Sequence, residues 1–197
     1  MSNQYFDNNP NLKDEPLTIN YYFKGQTLVF NSNSGVFSKR TVDFGTSLLL
    51  QSVKITEEKA LLDVGCGIGV IGITLAKMNS TLKVEMIDVN LKALKLAKEN
   101  INANGITNAI CYESNIYENV KKSYDVIVTN PPIRAGKEVV HSILLGAYDY
   151  LNEGGKLYLV IQKKQGAESA KKALVAKFKS VEAINQSNGY LIFKCLK

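Results

Sequence analysis

Three cysteines, a single histidine and no apolar run near the ~18 residues needed to cross a bilayer set the first limits on this 197-residue chain. Cys66, Cys111 and Cys195 are odd in number, widely spaced, and fall in expected strands or a glycine turn, which argues against disulfides and against zinc-ligand spacing. His141 has no paired Cys or His ligands in the sequence, so no metal centre is expected and an ordinary helix position accounts for it. Met1 to Pro16 is polar and acidic instead of basic and then apolar, so it does not read as a secretory leader. The expected compartment is the cytoplasm, with no membrane contact. Internal repeats and low-complexity tracts are missing too.

What is present is a hydrophobic content of 45%, enough to bury one sizeable core. Residues 1–16 read as a polar, flexible tail, and residues 17–197 as one domain. Thr18 to Lys24 and Gln26 to Asn31 alternate across a Lys24-Gly25 turn as a hairpin, expected to lid a site. After a helix over Phe44 to Val53, strands near 60–64, 83–87, 109–113, 124–129 and 156–161 alternate with helices near 70–78, 90–103 and 137–151. That alternation predicts an α/β doubly wound, mostly parallel sheet. Ser180 to Asn185 and Gly189 to Leu196, split by a Ser-Asn-Gly turn, predict a closing antiparallel hairpin and a reversed last strand.

Three features carry chemistry. The strand Ala60 to Val64 runs into Gly65-Cys66-Gly67-Ile68-Gly69, where missing side chains let backbone N–H groups approach a ligand before the next helix begins. Asp88 follows 19 residues after Gly69 at the tip of the next strand, a spacing that suits a βαβ unit and a carboxylate on ribose hydroxyls. Asn130-Pro131-Pro132-Ile133 ends the β-branched run Tyr124 to Thr129, on the sheet edge where open parallel sheets bind ligands. Each proline removes a backbone donor and Pro131 holds Asn130 extended, leaving the Asn130 side-chain oxygen and the Pro131 carbonyl as acceptors for an exocyclic NH2.

With these residues in hand, the chain resembles the class I S-adenosylmethionine-dependent methyltransferases with a Rossmann-like sheet, and among them the RsmC-type 16S ribosomal RNA guanine-N2 methyltransferases. The likeness spans about residues 18–197, including Ser34-Gly35-Val36-Phe37-Ser38, Asp43-Phe44-Gly45-Thr46 and Ser114-Asn115. It implies a seven-stranded sheet with an antiparallel last strand, and S-adenosylmethionine as cofactor. In this resemblance Asp63, Gly65 and Gly67 cradle the methionine part, Asp88 holds ribose, Val89 packs on adenine, Asn115 meets the adenine amino group, and Thr46, Cys66, Ile116 and Asn130 join the cofactor side. Asn130, Pro131, Pro132 and Ile133 form the catalytic turn that orients the target amine. RsmC-type proteins carry a second, degenerate domain ahead of the catalytic one; 197 residues leave no room for it, so a single-domain form is expected. Substrate engagement then falls to the N-terminal extension, a homodimer surface or the catalytic face.

One departure stands out. The wider Asn-Pro-Pro family has Tyr or Phe where this chain has Ile133, so stacking on a base is lost there; Phe37 is a candidate to supply the ring. Charge points to the partner. The net +6 is confined to residues 153–197, which hold nine basic and three acidic groups, while the preceding residues balance. Lys163 and Lys164 follow a strand end on the Asn130 edge, and Arg134 and Lys137 lie just past the Asn-Pro-Pro turn, so phosphate contact is expected of these four. The lysines at 171, 172, 177 and 179 read as a solvated helix face.

The combined pattern favours methylation of ribosomal RNA, free or within the small ribosomal subunit, at guanine N2. The same acceptors could orient adenine N6 or a protein glutamine amide, although the helical N-terminal domain of glutamine methyltransferases is missing. A non-catalytic RNA-binding assembly factor leaves Asp88 and Asn130 unexplained. A nicotinamide-dependent dehydrogenase leaves Asn-Pro-Pro unexplained.

Overall fold

The computed structural model describes residues 15–34, 36 and 40–197. Seven strands form the central sheet: β3 (Ala60–Val64), β4 (Lys83–Asp88), β5 (Ala109–Glu113), β6 (Tyr124–Thr129), β7 (Leu151–Gln162), β8 (Ser180–Ser187) and β9 (Tyr190–Leu196). Their order is β5-β4-β3-β6-β7-β9-β8, parallel through β7, with β9 antiparallel to both neighbours. The doubly wound sheet and reversed last strand are as the sequence predicts.

Central strands buried on both faces are apolar at successive positions. Along β3, Leu61 joins a core with Leu49 and Leu50 of α1 (Phe44–Ser52), Ile73 of α2 (Val70–Met78) and Ala97 of α3 (Leu91–Ala103). The next residue, Leu62, joins a second core on the other face, with Leu144 of α4 (Lys137–Tyr150) and Leu174 of α5 (Ala167–Val175). The chain leaves β3 towards β4 and β5, then crosses back to β6 on its other side. At that reversal the loops at the strands' carboxyl ends part and leave a crevice. The ends of β3, β4 and β6 therefore bring the glycine turn, Asp88 and Asn130 to one edge.

The N-terminal hairpin, β1 (Leu17–Phe23) and β2 (Gln26–Ser32), forms a separate two-stranded sheet. It is no lid: the cleft is not lined by either of its strands. Instead it is clamped to α3, because Asn100 and Asn104, four residues apart, share one helix face. The β2 edge donates from Asn31 N to Asn100 Oδ1 (2.6 Å) and from Val29 N to Asn104 Oδ1 (2.9 Å). Asn100 Nδ2 and Asn104 Nδ2 donate back to the Asn31 and Val29 carbonyls at 3.1 and 2.7 Å. Leu28 and Phe30 of β2 complete the first core. What reaches the cleft is the segment after the hairpin, through Val36, Val42 and Asp43.

β7 starts five residues earlier than the sequence suggests. Leu151 pairs with Tyr124, the register shifts, and the ladder resumes at Lys156 opposite Val126. Between these points lies Asn152-Glu153-Gly154-Gly155, where Gly154 takes φ +73°. Among the described residues no helix is long and apolar enough to cross a membrane.

Candidate active site

The end of β3 becomes a turn because Gly65, Gly67 and Gly69 hold φ of +71°, +56° and +89°, a region costly to residues with a Cβ. Gly65 N and Cys66 N both donate to the Ile87 carbonyl, at 2.9 and 3.0 Å, and Gly67 N donates to Asp88 Oδ2 at 2.8 Å. The turn is thus stitched to the end of β4. A Cβ at Gly65 or Gly67 would meet nothing within 4 Å, so these two positions leave room for a ligand to approach the backbone. Gly72 works differently: a Cβ there would come within 2.5 Å of Met86, so the bare position lets α2 lie against β4.

The two acidic groups have separate roles. Asp88 lines the cleft and accepts from Asn90 N through Oδ1 and Gly67 N through Oδ2, each at 2.8 Å. Burial pushes its pKa above the ordinary carboxylate value. A carboxylate has about four lone-pair sites, so beside the backbone N–H groups of Gly67, Val89 and Asn90 it can still accept from a ligand. Asp63 was expected against the methionine part, but it lies behind the cleft wall, fully buried. Its Oδ2 accepts from Gly72 N at 2.9 Å, its Oδ1 has no partner among the described residues, and burial pushes its pKa up to about 7.

Beyond β5, Ser114, Asn115 and Ile116 line the cleft opposite Val89, which is 37% exposed. Ile116 takes φ +54°, strained for a β-branched residue. The Ser114 hydroxyl fixes this bend by donating to the Ile116 carbonyl (3.0 Å) and accepting from Asn119 N (3.1 Å).

Asn130 extends from the tip of β6. Its Nδ2 donates to Thr46 Oγ1 at 3.0 Å and to Asp43 Oδ1 at 3.4 Å, while Asp43 caps α1 by accepting from Thr46 N at 3.0 Å. The carboxamide's orientation is therefore set from its donor side. No hydrogen bond from the described residues reaches its Oδ1. Pro131 and Pro132 line the cleft beside it, and Ile133–Ala135 forms a single 3₁₀ turn leading to α4.

All these walls enclose one cleft of about 680 Å³, within the usual range for small-molecule sites. It brings together Thr46, Gly65, Cys66, Gly67, Asp88, Val89, Asn115, Ile116, Asn130, Pro131, Pro132, Ile133 and Arg134. Lys137, Lys163 and Lys164 are exposed but outside the lining, and Phe37 lies outside the described residues. Gln162, Gln165 and Tyr190 also line the cleft, and sequence reasoning missed them. Gln162 ends β7 on the ligand edge, a signal that could have found it; Tyr190 is brought there by antiparallel pairing with Gln162. Of the helix-face lysines, Lys177 pairs with Asp149 at 3.0 Å.

The family model of the methyltransferase small domain matches residues 27–194. The uncharacterized protein YbxB of Bacillus subtilis (strain 168) is 44% identical over the full length of both chains. Ribosomal RNA small subunit methyltransferase C of Vibrio vulnificus (strain CMCP6) is 39% identical over 69% of this chain and 41% of its own length. A solved structure, the T. thermophilus 16S rRNA N2 G1207 methyltransferase (RsmC) in complex with AdoMet and guanosine, superposes with a TM-score of 0.84 at 24% identity, over 95% of this chain and 52% of its own. The chain thus spans about half, or less, of the length of these two methyltransferases.

Proposed function

We propose that this chain, which belongs to the methyltransferase small domain family, transfers the methyl group of S-adenosylmethionine to an exocyclic amino nitrogen of a nucleobase, namely guanine N2 of small-subunit ribosomal RNA. The observation that carries this reading is the Asn130 carboxamide, whose NH2 is committed to Thr46 and Asp43 so that its oxygen is left to accept. A carboxamide held that way suits a substrate NH2 and rejects a substrate acceptor.

The cleft fits the cofactor on the structure's own terms. Gly65 and Gly67 leave open space over their backbone for the methionine part, Asp88 retains lone pairs for ribose hydroxyls, and Val89, Ile116 and Asn115 form a slot for adenine. Bound there, S-adenosylmethionine supplies an electrophilic methyl group on a positively charged sulfur. The protein's task is alignment. Asn130 Oδ1 and the Pro131 carbonyl accept from the target NH2, hold its nitrogen in one orientation, and stabilise the positive charge that develops there. Asp63 is walled off from the cleft and is not the base; the excess proton on the methylated nitrogen passes to solvent water after transfer.

A base inside a duplex cannot reach this cleft, so the substrate nucleotide is unpaired or flipped out. Arg134 on the rim, with exposed Lys137, Lys163 and Lys164 beyond it, supports phosphate contacts. The setting is the cytoplasm, with the small ribosomal subunit or its RNA as partner. The test is transfer of labelled methyl groups to small subunits, free ribosomal RNA and release factors, followed by nucleoside and peptide analysis. N2-methylguanosine in small-subunit RNA is the expected product; label on adenine N6 or on glutamine would overturn the assignment. Calorimetric binding of NAD in place of S-adenosylmethionine would overturn the cofactor.

A further inference from the structure

We infer that Tyr190 provides the aromatic face for the target base that Ile133 cannot, and that Gln162 and Gln165 beside it read the base's edge. This rests on the base-methylation reading above. A planar base held by its amino group at Asn130 needs flat or apolar contact on its faces, and stacking on a ring contributes about 1–3 kcal/mol per base. The residue after Pro132 is aliphatic, and Ile133 packs against the core on the α4 and α5 face of the sheet. Tyr190 packs against the opposite core, on the α1 to α3 face, and lines the same cleft. The two side chains therefore reach the cleft from opposite faces of the sheet.

Topology fixes the tyrosine near the chemistry. Tyr190 starts β9 opposite Gln162, the last residue of β7, and β7 is the parallel neighbour of β6. At about 4.8 Å per strand, the Tyr190 backbone lies about 10 Å across from the tip that carries Asn130, the width of a purine with its contacts. The ring is also braced. It meets the Phe44 ring at 5.7 Å between centroids, and its Cε1 lies 2.9 Å from where a Cβ on Gly45 would be. The following residue, Thr46, receives the Asn130 amide. One turn of α1 thus sets both the plane of the ring and the direction of the carboxamide.

Gln162 and Gln165 complete that wall. Neither side-chain amide is engaged by another described residue, and each offers a donor and an acceptor. Such groups can donate to the O6 acceptor and accept from the N1–H donor of guanine.

The experiment measures kcat and KM for methyl transfer to small-subunit RNA, with S-adenosylmethionine affinity determined separately by calorimetry. Tyr190→Leu is expected to lower kcat/KM by about tenfold or more, with cofactor affinity unchanged. Tyr190→Phe, which keeps the ring, should lose far less than Tyr190→Leu, and Ile133→Phe placed in the Tyr190→Leu background should recover most of the loss by restoring a ring from the other side. Gln165→Ala, on the exposed rim, should raise KM for RNA several-fold without touching cofactor binding; this variant keeps the inference testable if Tyr190→Leu folds poorly. Wild-type kcat/KM in both Tyr190→Leu and Gln165→Ala, or a Tyr190→Leu loss matched by lost cofactor affinity and unrelieved by Ile133→Phe, overturns the inference alone. An unmutated protein that transfers no methyl group to RNA overturns the functional reading first, and this inference with it.

Discussion

The Thr129 hydroxyl donates to the Val64 carbonyl at 2.8 Å, pinning the strand tip that carries Asn130 to the tip that opens into the glycine turn. Donor and acceptor sites are thus tied at their base by one buried bond. Thr129→Val keeps the shape and removes the donor, leaving a buried carbonyl short of a partner at a cost of about 1–2 kcal/mol. Urea denaturation should register that loss, and kcat should fall more than cofactor affinity. Thr129→Ser, which restores the hydroxyl, should recover both.

Asn130→Ala should reduce methyl transfer to near background while calorimetry still detects cofactor binding at close to wild-type affinity. Thr46→Val removes the acceptor that orients the carboxamide and should give an intermediate loss in kcat. Equal loss of cofactor binding in Asn130→Ala would reassign the residue to cofactor support.

At Gly67 an alanine has to adopt φ near +56° and project its methyl group into the cleft. The backbone cost is about 1 kcal/mol, so the fold survives and the melting temperature moves by a few degrees. Cofactor affinity, measured by titration, should drop about tenfold or more.

Asp63 makes stability depend on pH. Its carboxyl is raised in the folded protein to about 7, against about 4 in the unfolded chain. Between those values the native state holds a proton that the unfolded state has released, so Asp63 lowers stability progressively from pH 4 to pH 7, with no further change above that. Asp63→Asn should flatten this slope in thermal melts taken from pH 4 to pH 8. Asp88, also raised by burial, leaves a residual slope of the same sign. Glu58, lowered to about 2 with Lys156 and backbone donors on its carboxylate, acts in the opposite sense and below this window.

RNA binding should weaken steeply with added salt if Arg134, Lys163 and Lys164 make the proposed phosphate contacts. Arg134→Glu, at the rim itself, should weaken binding more than Lys163→Glu, which lies outside the lining. Filter binding between about 50 and 200 mM salt checks both; a flat response would count against nucleic acid as substrate.

The parts of the site legible in the sequence are those encoded within one strand and its exit. Gly65, Gly67, Asp88 and Asn130 each end or follow a parallel strand, so hydrophobic periodicity brings them to one edge, whereas Asn115 enters through the resemblance. Tyr190 was hidden because its place at the cleft depends on an antiparallel register with Gln162, 28 residues earlier in the chain, whereas Gln162 itself ends a parallel strand and carried a legible signal. The hairpin was misjudged as a lid because Asn100 and Asn104 look like solvent-facing polar positions in an amphipathic helix, whereas they are buried as a clamp. Asp63 is set against the methionine part by the resemblance alone, and periodicity does not tell which side of the turn a carboxylate at the strand's penultimate position faces.

Asn100 also donates to the Ile68 carbonyl at 3.0 Å, so the amide that grips β2 supports the glycine turn as well. Hairpin and turn then belong to one cooperative unit, and local opening of the first exposes the second. A ligand that tightens the turn would slow hydrogen exchange at Val29 and Asn31, on the far side of α3. The outer hairpin is in this sense a remote gauge of occupancy.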